Sequence, residues 1–254
     1  MSQPPQVPIN FAEDPTPTVE VDRREAVTAA LTEQVRELVD ACIRTTVDDD
    51  EVRAVEAEVA TLVARLRASQ LPGPAGVRYN SEGRSWGWGN AVVGRRNAVA
   101  PPLTIVHPDA GSDPGAPSYA EVVLGAAYEG PPGMVHGGVS ALLLDQIMGE
   151  TASGFRRLTM TGTLTLRYRS PLPLGPVRLE ARIVREDGRK VTVEATIGPH
   201  DPAAAPGAAR TVAVEATGLF LVPRWAMEQD PEPEPAADLR PGERSIVWRR
   251  SAEG

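Results

Sequence analysis

The chain has 254 residues, of which 41% are hydrophobic and 24% are charged, a composition typical of a globular protein with a sizeable core. Its formal net charge of −8 argues against a general nucleic-acid binder, because such proteins are usually basic. The single cysteine, Cys42, excludes a disulfide within the chain, and no apolar run approaches the length of a membrane span. A cytoplasmic protein is therefore expected.

The first 70 residues are expected to form a tail and two helices. Five prolines in residues 1–20 predict a disordered tail, which lacks the basic start and apolar run of a signal peptide. In residues 21–70, apolar side chains recur every three or four residues, which predicts two amphipathic helices that form a hairpin. The first interpretation is a structural lid, and a partner-binding pair is the alternative. The two stripes are Val27, Leu31, Val35, Leu38 and Cys42, then Val52, Val55, Val59, Leu62 and Leu66.

Residues 71–222 read as one domain after a Pro/Gly linker at its start. Their hydrophobic period changes to two, which is typical of strands. One strand is expected to contain Thr161 on the face opposite Leu164 and Leu166, unless a bulge at Gly162 turns it. The Pro/Glu-rich tail, 223–254, is expected to be disordered. Strands are predicted at 86–89, 103–106, 119–128, 158–169, 177–185, 190–197 and 211–222.

A strongly apolar helix is predicted from about Gly138 to Ser153, in the middle of these strands. Its apolar residues cover most of the circumference, so we expect the helix to be buried on nearly all sides. Sequential hairpins favour an antiparallel sheet, and a curved one would wrap the helix in an α+β fold. Asp145 lies within this helix, where a charge is costly unless it is paired, hydrogen-bonded or used in chemistry. The apolar residues are Leu142, Leu143, Leu144, Ile147 and Met148.

Three motifs follow one another in the second half of the chain. They are Tyr128-Glu129-Gly130-Pro131-Pro132-Gly133-Met134-Val135-His136-Gly137-Gly138, then Asp145 nine residues after the histidine, then Met160-Thr161-Gly162 followed by Arg167-Tyr168-Arg169-Ser170-Pro171-Leu172-Pro173-Leu174. In this order they resemble the hotdog-fold acyl-CoA thioesterases of the PaaI type. The resemblance covers about residues 86–222. It implies a hotdog fold, hydrolysis of an acyl-CoA to free acid and coenzyme A, and a homodimer or dimer of dimers with sites at the interface. It also implies that Thr161 orients the attacking water, and no cofactor is expected.

The residue chemistry agrees with this resemblance. Gly137 and Gly138 expose backbone N–H groups at a helix start, which suits an oxyanion hole, although two glycines also permit a tight turn. Asp145 is the candidate general base or nucleophile, and the alternative is a carboxylate satisfied by local hydrogen bonds. Nine residues separate His136 from Asp145 by about 13 Å along one helix, too far for both to act on one carbonyl. Two antiparallel copies of the helix across a dimer interface would bring Asp145 of one chain near Gly137 and Gly138 of the other.

The remaining candidates have weaker support. His136 is expected either to orient the loop through its ring or to contact the substrate carbonyl. Glu129 and Gly130 occupy the loop where some relatives carry a carbonyl-binding asparagine, so they are candidate substrate contacts. Arg167 and Arg169 are candidates for the phosphates of coenzyme A, although exposed arginines more often face solvent.

Other chemistries fit less well. The three histidines lack metal-ligand spacing, so no metal site is expected. Ser140 is in a sequence similar to a nucleophile elbow, but Leu142 stands where glycine is needed, which favours a packing role. A non-catalytic acyl-CoA-binding or sensing protein of the same fold is the alternative function. An acyl-CoA hydratase is less favoured, because no histidine–acid pair of the expected spacing is present.

Overall fold

The computed structural model describes residues 11–108, 116–154, 158–204 and 210–224. The ends of the two predicted tails, 1–10 and 225–254, lie outside these ranges. Residues 11–20 are ordered, so the prediction of a disordered tail is wrong for them: they form β1 (Phe11–Glu13) and the beginning of α1 (Thr18–Arg44). Prolines here mark a helix start rather than disorder, because Pro17 is the N-cap of α1.

Helix α1 is anchored by polar contacts and not by its predicted apolar stripe. The Arg36 guanidinium donates hydrogen bonds of 2.9 Å to the carbonyls of Asn97 and Ala100. On the same side, the Trp88 Nε1–H donates to a Glu25 carboxylate oxygen at 2.7 Å. Most of the stripe that begins at Val27 is exposed instead, with Leu38 half-buried, so the expected packing of this whole face on the rest of the chain is not found.

Helix α2 (Asp49–Arg67) confirms the second predicted helix, but it has no buried residue. Leu62 and Leu66 retain 52% and 56% of their accessible surface. A helix with this exposure does not pack its apolar stripe against α1, so the predicted packed hairpin is not formed. The pattern predicts the helices correctly, and the described chain provides no surface that covers either stripe.

Two sheets organise the rest of the chain. A small sheet joins β1 to β2 (Val77–Tyr79) and β3 (Ser85–Trp86). The main sheet has six strands in the order β4-β5-β7-β8-β9-β6, and every neighbouring pair is antiparallel. Its strands are β4 (Ile105–Val106), β5 (Ser118–Leu124), β6 (Met160–Tyr168), β7 (Gly175–Asp187), β8 (Lys190–Pro199) and β9 (Val214–Leu221).

Helix α3 (Gly137–Ser153) lies against the main sheet and contacts β7, β8 and β9. Leu143, Leu144, Ile147 and Met148 are fully buried, and they form the core together with the inward-facing residues of the sheet. Leu142, however, is 42% exposed, so the helix is not buried on nearly all sides as expected. The sheet of one chain covers one side of α3 and leaves the other side open.

Strand β6 is an edge of the main sheet, with β9 as its neighbour. Seven of its nine residues are exposed, and the other two are half-buried. Unpaired edges of this length are templates for another strand unless they are covered.

None of the helices in the described ranges is long and apolar enough to cross a membrane.

Candidate functional site

The loop before α3 is a tight turn whose conformation depends on its prolines and glycines. Met134 N–H donates to the Pro131 carbonyl at 2.8 Å, and Gly133 adopts φ +73° at the third position of this turn. That combination, with Pro132 at the second position, is a type II turn, which favours glycine where φ is positive. Glu129 accepts the Gly133 N–H at 2.6 Å. One oxygen of this predicted substrate contact therefore closes the loop.

Gly130 has a packing role next to His136. A β-carbon added to Gly130 would lie 2.8 Å from the His136 Cα, which is closer than real contacts allow. The His136 N–H also donates to the Tyr128 carbonyl at 2.9 Å, so the two arms of the loop are paired. The Tyr128 hydroxyl in turn donates a hydrogen bond to the Val99 carbonyl, and burial raises the pKa of this hydroxyl. Gly130 thus allows the loop to position the first residues of α3.

Two contacts fix the peptide group that joins Gly137 and Gly138. The His136 Nδ1 accepts the Gly138 N–H at 3.0 Å, which makes His136 the N-cap of α3. The Tyr168 hydroxyl donates to the Gly137 carbonyl at 2.9 Å, and its ring packs against the Gly137 Cα. His136 therefore caps α3 through its ring, and the ring engages the Gly138 N–H, one of the two predicted oxyanion donors.

The Gly137 N–H is the donor that stays available, with no acceptor among the described residues. This N–H belongs to the peptide group that joins His136 and Gly137. The carbonyl of that group, on His136, accepts hydrogen bonds from the N–H groups of Val139 and Ser140 at 2.9 and 3.3 Å. Hydrogen bonds to a carbonyl polarise the N–H of the same peptide group. This end of α3 thus presents one polarised donor, reinforced by the positive end of the helix dipole.

An open cavity of about 460 Å³ lies at this helix start. Ser140 lines it but is almost fully buried, which supports a packing role over a nucleophilic one. Most of the lining surface is apolar, so the cavity suits a ligand that carries an apolar portion past the Gly137 donor. The lining residues are Pro131, Met134, Val135, Gly137, Ser140, Tyr168, Arg169, Ser170, Pro171, Leu172 and Val214.

Asp145 and Thr161, predicted from separate parts of the sequence, meet in the structure. The Thr161 hydroxyl donates to the Asp145 Oδ1 at 2.9 Å. Thr161 reaches the helix because the register of β6 against β9 shifts between Thr161 and Thr163, so the predicted bulge at Gly162 is confirmed. Thr161 then pairs with the buried Phe220 and faces α3.

The environment of Asp145 suits proton transfer. Its side chain is half-buried in the middle of α3, and its other carboxylate oxygen has no hydrogen-bond partner among the residues that the structure describes. A carboxylate with one oxygen fixed and one open can accept a proton from a bound water in a defined direction.

The two candidate arginines differ in their availability. Arg169 donates two hydrogen bonds to one Glu215 oxygen, at 2.7 and 3.0 Å, and this contact lowers the pKa of Glu215. Arg167 is exposed and faces Glu215 on the side of the sheet away from α3, where its charge lowers the same pKa further. Neither guanidinium points to the Asp145–Thr161 pair. Their predicted role in binding phosphates remains a prediction.

Sequence reasoning missed the contribution of Tyr168. It assigned this residue no contact. Only the fold brings the end of β6 against the start of α3, so that the Tyr168 hydroxyl reaches the Gly137 carbonyl. An aromatic residue at a strand end has no local signal that distinguishes this role from ordinary packing.

Comparisons with known proteins agree with the fold, and they match the part of the chain that holds the candidate site. A family model described as "Thioesterase superfamily" matches residues 132–201. A solved structure of a thioesterase superfamily protein is 31% identical, with a TM-score of 0.64, and the match covers 76% of this chain and 90% of that one. These similarities confirm the expected α+β hotdog fold.

Curated relatives match a shorter region. The acyl-coenzyme A thioesterase THEM4 of Xenopus laevis is 36% identical over 98 residues, which cover 38% of this chain and 41% of the relative. The protein of the same name from Mus musculus is 34% identical, with 38% and 39% coverage. The chain thus spans about two fifths of the length of the curated relatives it matches.

Proposed function

The chain belongs to the thioesterase superfamily, and on this basis we propose that it is an acyl-CoA thioesterase that hydrolyses an acyl-CoA to a free acid and coenzyme A. The observation that carries the proposal is the 2.9 Å hydrogen bond from Thr161 to Asp145. It joins a carboxylate and a hydroxyl at the two positions that the family resemblance assigns to catalysis. A protein that only binds acyl-CoA has no need of this pair.

The proposed reaction uses the open Asp145 oxygen as a general base. Water attacks the thioester carbonyl and gives a proton to Asp145, while Thr161 orients the water and the carboxylate. The Gly137 N–H holds the oxyanion of the tetrahedral intermediate, joined by the Gly138 N–H when the His136 ring releases it. The C–S bond then breaks, and the thiolate takes up the proton that Asp145 received, which restores the carboxylate. Alternatively, Asp145 attacks the carbonyl itself and water hydrolyses the resulting anhydride.

The leaving group needs little help in either route. A thiol has a pKa of about 8.5 in the cysteine reference, so its thiolate leaves readily near neutral pH. A site that has a base and an oxyanion donor but no separate general acid is therefore sufficient for a thioester. The same site would be poorly equipped for an ordinary ester, whose alkoxide leaving group is far more basic.

A homodimer with shared sites is part of the proposal. Within one chain, the Gly137 donor and Asp145 are separated by about 12 Å of helix, so they cannot act on one carbonyl. The open side of α3 at Leu142 and the uncovered edge of β6 support pairing with a second copy. Antiparallel α3 helices across that interface would bring Asp145 of one chain near Gly137 of the other.

The free, exposed Cys42 supports a reducing compartment such as the cytoplasm.

The function is tested by measuring the release of free thiol from a panel of short, long and aromatic acyl-CoAs. We expect catalytic turnover, with an acyl preference that reflects the apolar cavity at the start of α3. Saturable binding of an acyl-CoA without turnover on any member of the panel would contradict this function and favour the sensing protein.

Replacing Thr161 by Val is expected to lower kcat by about 10- to 100-fold, because a hydrogen bond to a charged group contributes about 1.5–3 kcal/mol. The variant keeps the shape of the side chain and removes the hydroxyl that holds Asp145. Steady-state thiol release measures the effect. Thr163→Val is the matched control, since Thr163 lies beyond the bulge and pairs with Leu219 on the other face. Equal losses in the two variants would remove Thr161 from the mechanism.

A shared site predicts complementation between two inactive chains. One chain carries Asp145→Asn and loses the base, and the other carries Gly137→Pro and loses the available N–H donor. In their heterodimer, one site has both groups intact, so about half of the wild-type activity per dimer should return. Purification through two different affinity tags isolates this heterodimer for the thiol assay.

The control combines wild type with a chain that carries both substitutions. If sites are shared across the dimer, each site of this heterodimer lacks one group and the activity is lost. If each chain holds a complete site, one site survives and the result is reversed. The two heterodimers therefore give opposite results for the two arrangements.

A further inference from the structure

The apolar stripe of α2 has the spacing of a coiled-coil seam. Val52, Val55, Val59, Leu62 and Leu66 follow one another at intervals of three, four, three and four residues, which is the a/d pattern of a heptad repeat. All are exposed or, in the case of Val59, half-buried. A strict a/d seam is narrower than the stripe of a helix that packs on a globular core, and it fits another helix.

Within the described chain, nothing covers this seam. The helix begins at its N-cap Asp48, which accepts the Glu51 N–H at 3.0 Å. Its other side-chain hydrogen bonds, from Arg53 to Asp50 and from Thr61 to the Ala57 carbonyl, also remain within the helix. α2 therefore presents a complete, regular seam that its own chain leaves without a partner.

The charges beside the seam identify the partner. With Val52 as position a, the charged residues at the flanking e and g positions are Glu51, Glu56 and Glu58 in the first half of the helix and Arg65 in the second, where Val63 occupies the other e position. A parallel pair would place Glu51 against Glu56 of the other helix, which is repulsive. An antiparallel pair places the acidic half against the basic half. Such a segment is complementary to itself about a two-fold axis.

The register of the antiparallel pair follows from the same charges. In one register, Val55 packs in a layer with Leu66 of the other helix, and Val59 with Leu62. Glu58 and Arg65 of the other helix are then offset by only about 3 Å along the coiled-coil axis. In the register one layer away, Glu58 of one helix would have the same small offset from Glu58 of the other helix, which is repulsive. Charge complementarity therefore selects the first register, whose two-fold axis passes between Ala60 and Thr61.

We propose that α2 pairs with α2 of a second copy of this chain as an antiparallel two-helix coiled coil, with Glu58 of each helix facing Arg65 of the other. A seam of two heptads is too short to associate strongly by itself. It acts together with other contacts between the copies, and it explains why this helix is folded but exposed in one chain. This interface is separate from the proposed active site and does not depend on the catalytic activity.

Distances between spin labels on the two copies test the arrangement. Single cysteines replace Arg53, Ala60 or Arg67 in a Cys42→Ser background, and these positions share the outer face of α2. In the proposed pair, equivalent labels are offset along the axis by about 22 Å at 53, 1.5 Å at 60 and 20 Å at 67. Pulsed electron resonance on the full chain should therefore find the shortest distance at 60. The proposal would be overturned if the distances at the three positions were equal, or if the distance at position 60 were not the shortest.

Charge reversal tests the register with labels at position 60. Glu58→Arg alone and Arg65→Glu alone each place like charges together, and we expect each to deplete the short-distance population. The double variant Glu58→Arg with Arg65→Glu recreates the attraction and should restore that population. Failure of the double variant to restore it, while circular dichroism reports unchanged helix content, would contradict the assigned register.

Discussion

Replacing Asp145 by Asn is expected to lower the turnover of acyl-CoA thioesters by about 10²- to 10⁴-fold, the usual contribution of a positioned general base. Asparagine keeps the shape of the side chain and can still accept the Thr161 hydroxyl, but it cannot take up a proton or attack a carbonyl. The loss should appear in kcat, because the binding surface is unchanged. Free-thiol release at saturating substrate measures it.

Asp187→Asn serves as the matched control, since Asp187 lies in an exposed hairpin and pairs with Arg185. It should retain wild-type kcat. Thermal unfolding of both variants by circular dichroism separates loss of chemistry from loss of fold. Full activity of Asp145→Asn in protein freed from contaminating enzymes would refute the assignment of Asp145 as base or nucleophile.

The second large effect is expected for Gly137→Pro, which should lower kcat by about 10²- to 10³-fold, as for the loss of one oxyanion-hole donor. Proline removes the Gly137 N–H and suits the first position of a helix. His136 precedes it with φ −60° and ψ 133°, an extended conformation compatible with a following proline. The substitution thus removes a donor while α3 keeps its start.

Gly137→Ala is the control for the added atoms. Its β-carbon would lie 3.3 Å from the Tyr168 ring, the same approach that proline makes, but its N–H is retained. The difference in kcat between the alanine and proline variants therefore reports the donor itself. Equal activities of the two would show that the Gly137 N–H does not bind the oxyanion.

Much of the candidate site follows from the sequence because its chemistry is local. The His-Gly-Gly step, the carboxylate in the middle of an apolar helix and the threonine strand each carry a distinct signal. Strand alternation places Thr161 on the wrong face, and Gly162 is the residue that permits the correcting bulge. The conflict between the alternation and the predicted role thus identified a real irregularity.

The rest depends on contacts between distant segments. Two N–H groups at a helix start look equivalent in the sequence, yet the His136 ring accepts only that of Gly138. Apolar periodicity predicts α1 and α2 as helices, but it does not say which surface covers their stripes. In α1, hydrogen bonds on another side of the helix determine how it is anchored, as those of Arg36 illustrate.

Strand β6 contacts α3 at two places: Thr161 near its start bonds Asp145, and Tyr168 at its end bonds the Gly137 carbonyl. In the proposed dimer, these two contacts belong to different catalytic centres. A single strand therefore links the base of one centre to the oxyanion donor of the other. A substrate that shifts β6 in the first centre changes the second, and linkage requires the reverse to hold equally for binding. The two centres would then bind substrate cooperatively rather than independently.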